Sequence, residues 1–256
     1  MAQRTRRPTS ISSAGPAIKA LAPGGSLCLN VSNDVFEPGL PSRSLYLERL
    51  TLAIADRFDM ALMDRLIWHN PSKPPGPIAW ASKKRVQLNV AWEPILWFTN
   101  DPSRITADNR RVLEAHTQRQ VDLMKSGGER RATDYGDGAY RLRPGAFGAE
   151  TEGRIPRNIL SRGHRCADTQ RYRDDAMRLG LPLHGAMQPL SVPDFLIRFL
   201  SKAGDLIVDP FGGTATSGMA AERLGRRWIV VEKVLEYLRG AGERFTSTQG
   251  FRWGSG

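Results

Sequence analysis

Residues 204–232 read GDLIVDPFGGTATSGMAAERLGRRWIVVE, and this stretch decides the fold. The apolar run 206–208 has the composition of a short buried strand, which Asp209 brings to an end. Gly212 and Gly213 then allow a turn in which the backbone can pass close to a ligand. The stretch therefore begins as a strand that leads into a glycine turn.

The second half of the same stretch predicts a helix and another strand. Apolar residues recur at helical spacing within 214–225, and a second apolar run covers 228–231 and ends at Glu232. An acidic residue about 20 positions beyond a glycine turn suits hydrogen bonds from ribose hydroxyls. The pattern predicts half of a nucleotide-binding β-α-β unit, with Glu232 as the ribose acceptor.

Two commoner glycine turns do not fit this stretch. No Gly-Lys-Ser or Gly-Lys-Thr ends the loop, which excludes a P-loop, and GGTATSG does not match the dinucleotide pattern GxGxxG. An apolar Phe211 followed by threonines suits an adenosine that carries a small charged tail better than it suits a pyrophosphate. The sequence thus favours a nucleoside ligand with little phosphate.

Residues 209–216, DPFGGTAT, resemble the cofactor motif of the N4-cytosine and N6-adenine DNA methyltransferases, which bind S-adenosylmethionine. Residues 188–201 resemble the segment that precedes this motif in circularly permuted members of the family, and residues 226–245 resemble the family's tail. Ala215 stands where the family usually has glycine.

The resemblance implies an α/β fold, namely a Rossmann-like S-adenosylmethionine-dependent methyltransferase sheet, permuted, with an inserted recognition region. It implies methyl transfer to N6 of adenine or N4 of cytosine in DNA, with the base flipped out of the helix. The residues expected to bind the cofactor are Asp209, Pro210, Phe211, Gly212, Gly213, Thr214, Thr216, Glu232, Pro189, Ser191 and Pro193.

Upstream segments extend the resemblance to a domain plan. Residues 20–34 and 68–98 resemble family segments of the catalytic half of the sheet. We therefore expect a plan of five parts. These are a disordered basic arm at 1–16, the catalytic half at 17–100, a target-recognition insertion and linker at 101–185, the cofactor-binding half at 186–248, and a tail at 249–256.

The family's catalytic tetrapeptide, Asp/Asn/Ser-Pro-Pro-aromatic, does not occur in this sequence. Residues 73–76 have the two prolines without the acid or the aromatic residue, and the Asp-Pro pairs at 101 and 209 have one proline each. Permuted members carry the tetrapeptide upstream of the glycine turn at 24–25. The catalytic residues are therefore unknown from this sequence, and we expect a chain that lacks its N-terminal end.

Charge favours a nucleic acid partner. The formal net charge is +11 with an isoelectric point near 10.2, and most of the 37 basic residues are arginine. We expect double-stranded DNA as the partner, and an amphipathic helix at 105–124 within the recognition insertion. The candidate DNA-binding residues are Lys83, Lys84, Arg85, Arg130, Arg131, Arg141 and Arg143.

Other classes of protein are disfavoured by composition. No apolar stretch is long enough to span a membrane, and no apolar signal core follows the basic N-terminus. Only Cys28 and Cys166 occur, without a CxxC pair, which predicts a cytoplasmic protein without bound metal. The sequence specifies neither the target base nor the recognition sequence nor the oligomeric state.

Two alternatives to an active DNA methyltransferase stay open at the level of sequence. One is a binding module that holds S-adenosylmethionine or DNA without transferring a methyl group. The other is an RNA methyltransferase of related fold.

Overall fold

The structure is a computed structural model that describes residues 11–136 and 140–252. The strands are β1 (Ser26–Asn30), β2 (Ala61–His69), β3 (Trp92–Thr99), β4 (Thr133–Tyr135), β5 (Tyr140–Leu142), β6 (Ile159–Ser161), β7 (Leu206–Asp209) and β8 (Arg227–Val230). The α-helices are α1 (Ile11–Lys19), α2 (Tyr46–Phe58), α3 (Gln118–Lys125), α4 (Ala167–Arg178), α5 (Ser191–Leu200), α6 (Thr216–Arg223) and α7 (Leu235–Gly242). Shorter helical turns are the 3-10 turns Pro102–Arg104, Asn109–Val112 and Glu243–Phe245 and the π-turn Ile78–Lys83.

The chain forms two compact units. The first consists of Met1–Ala107 together with Asn158–Gly256, and the second is Asp108–Arg157. The second unit holds α3 and the antiparallel hairpin β4-β5. It lies within the insertion predicted at 101–185 but is shorter, because β6 pairs in parallel with β2 and so belongs to the first unit.

Four strands of the first unit form a mixed sheet in the order β1-β3-β2-β6. Both β1 and β2 pair antiparallel with β3, while β6 pairs parallel with β2. The stretches 26–31, 62–68 and 91–99, whose apolar content is typical of strands, form these three strands to within one residue. The central position of β3 agrees with its almost continuous apolar composition, because a strand buried on both faces needs no polar alternation.

Helices cover both faces of this sheet, and successive residues of β3 point to opposite faces. Leu96 and Phe98 pack in a cluster with Ile54 of α2. Ile95 and Trp97 pack on the other face in a cluster with Val192 of α5. The first unit is thus a layered α/β structure, as the sequence predicted.

Helix α1 begins at Ile11, inside the stretch predicted at 1–16 to be a disordered arm. Its residue Ile18 is buried in the same cluster as Ile54 of α2, and Gly15 lies close to the ring of Phe58. A helix this short is marginally stable by itself, so its packing against α2 stabilises it. Residues 1–10 lie outside the described residues.

The amphipathic helix predicted at 105–124 is wrong. Asp108 accepts a hydrogen bond from the backbone N–H of Arg110, which starts a short 3-10 turn. Glu114 then forms an isolated antiparallel bridge with Arg154, and the hydroxyl of Thr117 caps the start of α3. A continuous helix would have to break each of these local hydrogen bonds, so they favour the separate turns over the helix.

The glycine turn belongs to a smaller element next to α5. Strands β7 and β8 pair in parallel as a sheet of two strands, and α6 connects them. Ile207 and Trp228 pack toward α6 in a cluster that also contains Ile197 of α5. Helix α5 therefore packs on the four-stranded sheet with one side and on this β-α-β unit with another.

The outward face of the β7-β8 pair is apolar and exposed. Leu206, Val208, Ile229 and Val231 are 47%, 51%, 50% and 54% exposed. Parallel strands are usually covered on both faces, so this face is unusual for its type. Nothing in the described part of the chain covers it.

Among the helices of residues 11–136 and 140–252, none combines the length and the apolar composition that a membrane crossing requires.

Candidate functional site

The site is built on the turn between β7 and α6. Asp209 ends β7, and its carboxylate accepts hydrogen bonds from the backbone N–H of Phe211 (3.0 Å) and from the hydroxyl of Ser217. These bonds curl the chain around the Asp209 side chain immediately after Pro210. Asp209 therefore fixes the shape of the turn, in addition to any contact it makes with a ligand.

Gly212 and Gly213 are required by geometry at their positions. A Cβ on Gly212 would lie 1.9 Å from Cγ1 of Val230, and the Gly212 N–H donates to the carbonyl of Val231 at 2.9 Å. Gly213 has φ 51°, in the left-handed region that favours glycine. The two glycines hold the turn against the end of β8.

Glu232 lies at the point where the turn meets β8. One carboxylate oxygen accepts from the N–H of Gly213 at 2.8 Å, and the other accepts from the N–H groups of Lys233 and Val234 at 2.8 and 2.9 Å. The backbone hydrogen bond from Val234 is the largest of several that lower the pKa of Glu232, because they favour the ionised form. Three donors leave part of the acceptor capacity of the carboxylate for a ligand.

Buried threonines fix the end of the turn. Thr214 and Thr216 are buried, and their hydroxyls lie 3.1 Å apart. Between them Ala215 adopts φ 53° and ψ 36°, a left-handed conformation that costs an L-residue with a Cβ about 1 to 2 kcal/mol. This explains why glycine is usual at this position in the family that the motif resembles.

The remaining predicted cofactor residues lie at different depths. Phe211 is 63% exposed at the mouth of the turn. Pro189 and Pro193 are buried around the start of α5, while Ser191 is exposed. Cofactor binding by each of these four stays a prediction.

Two aromatic side chains at the turn were missed by sequence reasoning. The imidazole of His184 lies against Gly213, with Nε2 at 3.2 Å from the position of a Cβ there. His184 also contacts the ring of Tyr237, with centroids 4.7 Å apart, and its Nδ1 accepts from the N–H of Ala186. A lone histidine in a loop carries no local signal that would assign it to the site.

The predicted DNA-binding residues fall into two groups, one in each compact unit. Lys83, Lys84 and Arg85 are exposed in the long connection between β2 and β3, where the ammonium of Lys84 lies 4.8 Å from the ring centroid of Trp80. The second group is exposed around the β4-β5 hairpin and consists of Arg130, Arg131, Arg141 and Arg143. Within it, Arg141 pairs with Asp134 at 3.2 Å. DNA contact by either group stays a prediction.

In the described ranges, no group of three or more His, Cys, Asp or Glu side chains comes together in a way that could hold a metal ion.

A β-α-β unit with a tight glycine turn and a hydrogen-bonded acid at the end of the second strand defines a nucleoside-binding class of α/β protein. Comparison with known proteins narrows the class. A family model described as DNA methylase, of the N6 and N4 type, matches residues 12–243. The chain belongs to this family of DNA methylases, which confirms the family that the sequence motifs predicted.

Individual relatives agree with the family. The chain is 31% identical over 229 residues to the type II methyltransferase M.PvuII of Proteus hauseri, covering 89% of this chain and 66% of that protein. A 60-residue stretch is 42% identical to the type II methyltransferase M2.DpnII of Streptococcus pneumoniae, covering 22% of each chain. The chain thus spans slightly less than two thirds of the length of M.PvuII.

Solved structures show the same fold. The cytosine-N4-specific PvuII DNA methyltransferase superposes with a TM-score of 0.71 at 28% identity, covering 93% of this chain and 70% of that one. A complex of M1.HpyAVI with S-adenosylmethionine superposes with a TM-score of 0.51 at 14% identity, which shows the fold alone. The predicted methyltransferase type of α/β fold is confirmed.

Proposed function

We propose that this protein is an S-adenosylmethionine-dependent methyltransferase that modifies an exocyclic amino group, N4 of cytosine or N6 of adenine, in double-stranded DNA. The observation that carries the proposal is the turn 209–216 with the Glu232 carboxylate bonded to Gly213. Membership of the DNA methylase family supports the same reaction. Similarity to a cytosine-N4-specific enzyme makes N4-methylcytosine the first product to look for.

The residues at the turn fit S-adenosylmethionine. Gly212 has no room for a side chain beside Val230, and Gly213 brings its bare backbone against the imidazole of His184. Glu232 is held ionised and keeps acceptor capacity for a ribose hydroxyl. His184 and Phe211 offer flat surfaces beside the turn for an adenine ring or for the thioether chain.

When bound, S-adenosylmethionine supplies an electrophilic methyl group on its sulfonium. The residues of the chain have four tasks when the cofactor and DNA are bound. Glu232 orients the nucleoside, and the N–H groups of the turn keep the backbone in place. Asp209 places a carboxylate at the start of the turn, near the position proposed for a cationic ligand. The exposed basic side chains of the two units hold the phosphates of DNA.

The two free cysteines, Cys28 and Cys166, fit a reducing cytoplasm, where we place the protein.

A second candidate function is binding of S-adenosylmethionine and DNA without methyl transfer. The observation in its favour is the sequence itself, which contains no Asp/Asn/Ser-Pro-Pro-aromatic tetrapeptide. In an amino-methyltransferase that element accepts hydrogen bonds from the target amine and stacks on the flipped base. Binding of the cofactor does not require it.

One experiment separates the two candidates. Unmethylated duplex DNA is incubated with tritiated S-adenosylmethionine and either this chain or a version that carries an in-frame upstream segment with the tetrapeptide. Binding of S-adenosylhomocysteine to this chain is measured in parallel by calorimetry. Label in DNA supports the methyltransferase, and digestion to nucleosides identifies the methylated base. Binding without label from either protein supports the second candidate, and no binding at all contradicts both.

A further inference from the structure

A buried arginine holds the underside of the glycine turn. Arg244 lies in the 3-10 turn Glu243–Phe245 that follows α7, and its side chain is only 1% exposed. Its guanidinium donates to the backbone carbonyl of Thr214 and to the hydroxyl of Thr216, the latter at 3.3 Å. It also forms an ion pair with Asp168 in α4. One side chain thus joins α4, the turn after β7 and the end of α7.

Burial makes this arrangement costly unless every charge has a partner. Desolvation lowers the pKa of Arg244, and the charge of Asp168 opposes that effect. Asp168 itself is 10% exposed and also lies 3.5 Å from a guanidinium nitrogen of Arg223 in α6. A buried guanidinium contributes little net stability compared with an apolar core, so its placement calls for another role.

The hydrogen bond from Arg244 to Thr214 is made to the peptide group that precedes the strained residue Ala215. The peptide group between Thr214 and Ala215 has its carbonyl bonded to Arg244, and its N–H donates to the carbonyl of Gly212 at 2.7 Å. Ala215 is the non-glycine residue of the turn with positive φ. A charge-assisted bond to the carbonyl fixes the plane of that peptide group and so favours the left-handed conformation at Ala215.

We propose that Asp168 and Arg244 are positioning residues of the cofactor site, which hold the glycine turn in its ligand-ready shape and compensate for alanine at position 215. The proposal rests on the proposed function in one respect, the identity of the ligand. Asp168 sets the guanidinium, the guanidinium sets the Thr214 carbonyl, and the turn then presents Gly213 to Glu232. Neither positioning residue needs to touch the ligand.

The test uses variants of the whole chain and S-adenosylhomocysteine as the probe. Arg244→Lys keeps the charge but loses the planar fork, and we expect its Kd for the probe to rise about tenfold. Asp168→Asn should raise the Kd in the same direction, and it serves as the second variant if Arg244→Lys does not fold. Arg178→Lys, in an exposed pair with Asp175, is the matched control and should stay within about twofold.

Rescue distinguishes positioning from general loss of stability. Ala215→Gly removes the need for the carbonyl bond, so in the Arg244→Lys background we expect it to recover at least about half of the lost affinity on a logarithmic scale. Because glycine also relieves the strain at Ala215 in the wild-type background, Ala215→Gly is measured alone as well, and the gain in affinity must be larger in the Arg244→Lys background than in wild type. An unchanged Kd in both Arg244→Lys and Asp168→Asn, or no rescue by Ala215→Gly, overturns the proposal.

A readout without ligand keeps the two proposals separate. Amide hydrogen exchange at Ala215, whose N–H is bonded to Gly212, should become about tenfold faster in Arg244→Lys, while amides of the β3 core such as Phe98 keep their wild-type rates. If the wild-type chain does not bind the probe, the proposed function fails, and this exchange result alone decides on the positioning role. Equal exchange at Ala215 in both proteins contradicts it.

Discussion

The Glu232 carboxylate is the single group on which cofactor affinity should depend most. Glu232→Ala removes the ribose acceptor and releases the N–H of Gly213, so we expect it to weaken S-adenosylhomocysteine binding by about 1 to 3 kcal/mol. Calorimetric titration measures the change. Glu236→Gln, in the exposed first turn of α7, is the charge-matched control. An unaltered dissociation constant in Glu232→Ala would remove this residue from the site.

The same carboxylate gives a pH-dependent contribution to stability. Backbone hydrogen bonds, that from Val234 first, lower the pKa of Glu232 in the folded state. A lowered folded-state pKa stabilises the fold above the unfolded value of about 4.3, and the stabilisation is lost as the pH falls through the folded value. The difference in unfolding free energy between wild type and Glu232→Gln should therefore be constant near neutral pH and shrink below about pH 4.5. Urea unfolding across this range tests it, and a gap that widens on acidification would contradict the assignment.

Gly212 is required because of Val230 rather than because of its own backbone angles. In Gly212→Ala the added Cβ meets Cγ1 of Val230 at 1.9 Å, so the turn or the strand must move, at a cost of about 1 to 3 kcal/mol. Gly185→Ala, where a Cβ meets open space, should change unfolding free energy by less than about 0.5 kcal/mol. In a double-mutant cycle, Val230→Ala should relieve part of the Gly212→Ala defect. Strictly additive effects would show that the two residues do not interact.

Sequence reasoning at the residue scale predicted the part of the candidate site that lies in one continuous stretch. Glu232 and the two glycines were predicted because strand, turn and acid follow one another in order. His184 and Arg244 were not assigned, since each reaches the turn from another element and only the folded chain brings them there. Local pattern therefore predicts the turn itself but not what surrounds it.

The β4-β5 hairpin of the second unit is the element on which DNA affinity should depend through charge. Replacing Arg130 and Arg131 with Gln should weaken binding to duplexes of any sequence and reduce the slope of log affinity against log salt by about 2, one per lost phosphate contact. Fluorescence anisotropy over a series of salt concentrations gives both values. Arg178→Gln, which removes a charge already paired with Asp175 and Glu243, is the control. Equal slopes for all three proteins would exclude Arg130 and Arg131 from the interface.

At the scale of elements, strands were predicted more accurately than the region between the two halves of the sheet. Most residues of β1, β2 and β3 are apolar, and short runs of this kind can be recognised as strands from the sequence. The helix expected at 105–124 has an apolar period of the right length, but Asp108 and Thr117 each start a new turn within it. Side-chain to backbone bonds of this kind compete with a helix locally and are invisible to a periodicity argument.

At the scale of the whole molecule, the described strands fall into three hydrogen-bonded sets, of which two belong to the first unit and one, the β4-β5 hairpin, to the second. The described residues contain a four-stranded sheet and a separate parallel pair, β7-β8, joined through the packing of α5. The family resemblance implied a methyltransferase sheet, and the apolar runs 206–208 and 228–231 predicted strands within it. The outward face of β7-β8 is apolar but exposed. Apolar composition therefore shows that a strand is suited to burial on both faces, but it does not show that both faces are covered.

The difference in burial between the two faces of the β7-β8 pair can be tested with one substitution on each face. Val208→Thr and Val230→Thr are the same isosteric change, but Val208 is 51% exposed whereas Val230 packs in the cluster around Met219 and Phe245. A hydroxyl buried without a partner costs about 1 to 3 kcal/mol, so Val230→Thr should lower the unfolding free energy by that amount.

On the exposed face, Val208→Thr should change the unfolding free energy by less than about 0.5 kcal/mol and should reduce the fluorescence of a dye that binds apolar surface. Chemical unfolding and dye titration on the two variants provide both readouts. Equal destabilisation by the two substitutions would mean that the outer face is covered in solution. The covering element would then lie beyond the part of the chain described by the structure, or on a second molecule, and sedimentation equilibrium at several protein concentrations would distinguish these two cases.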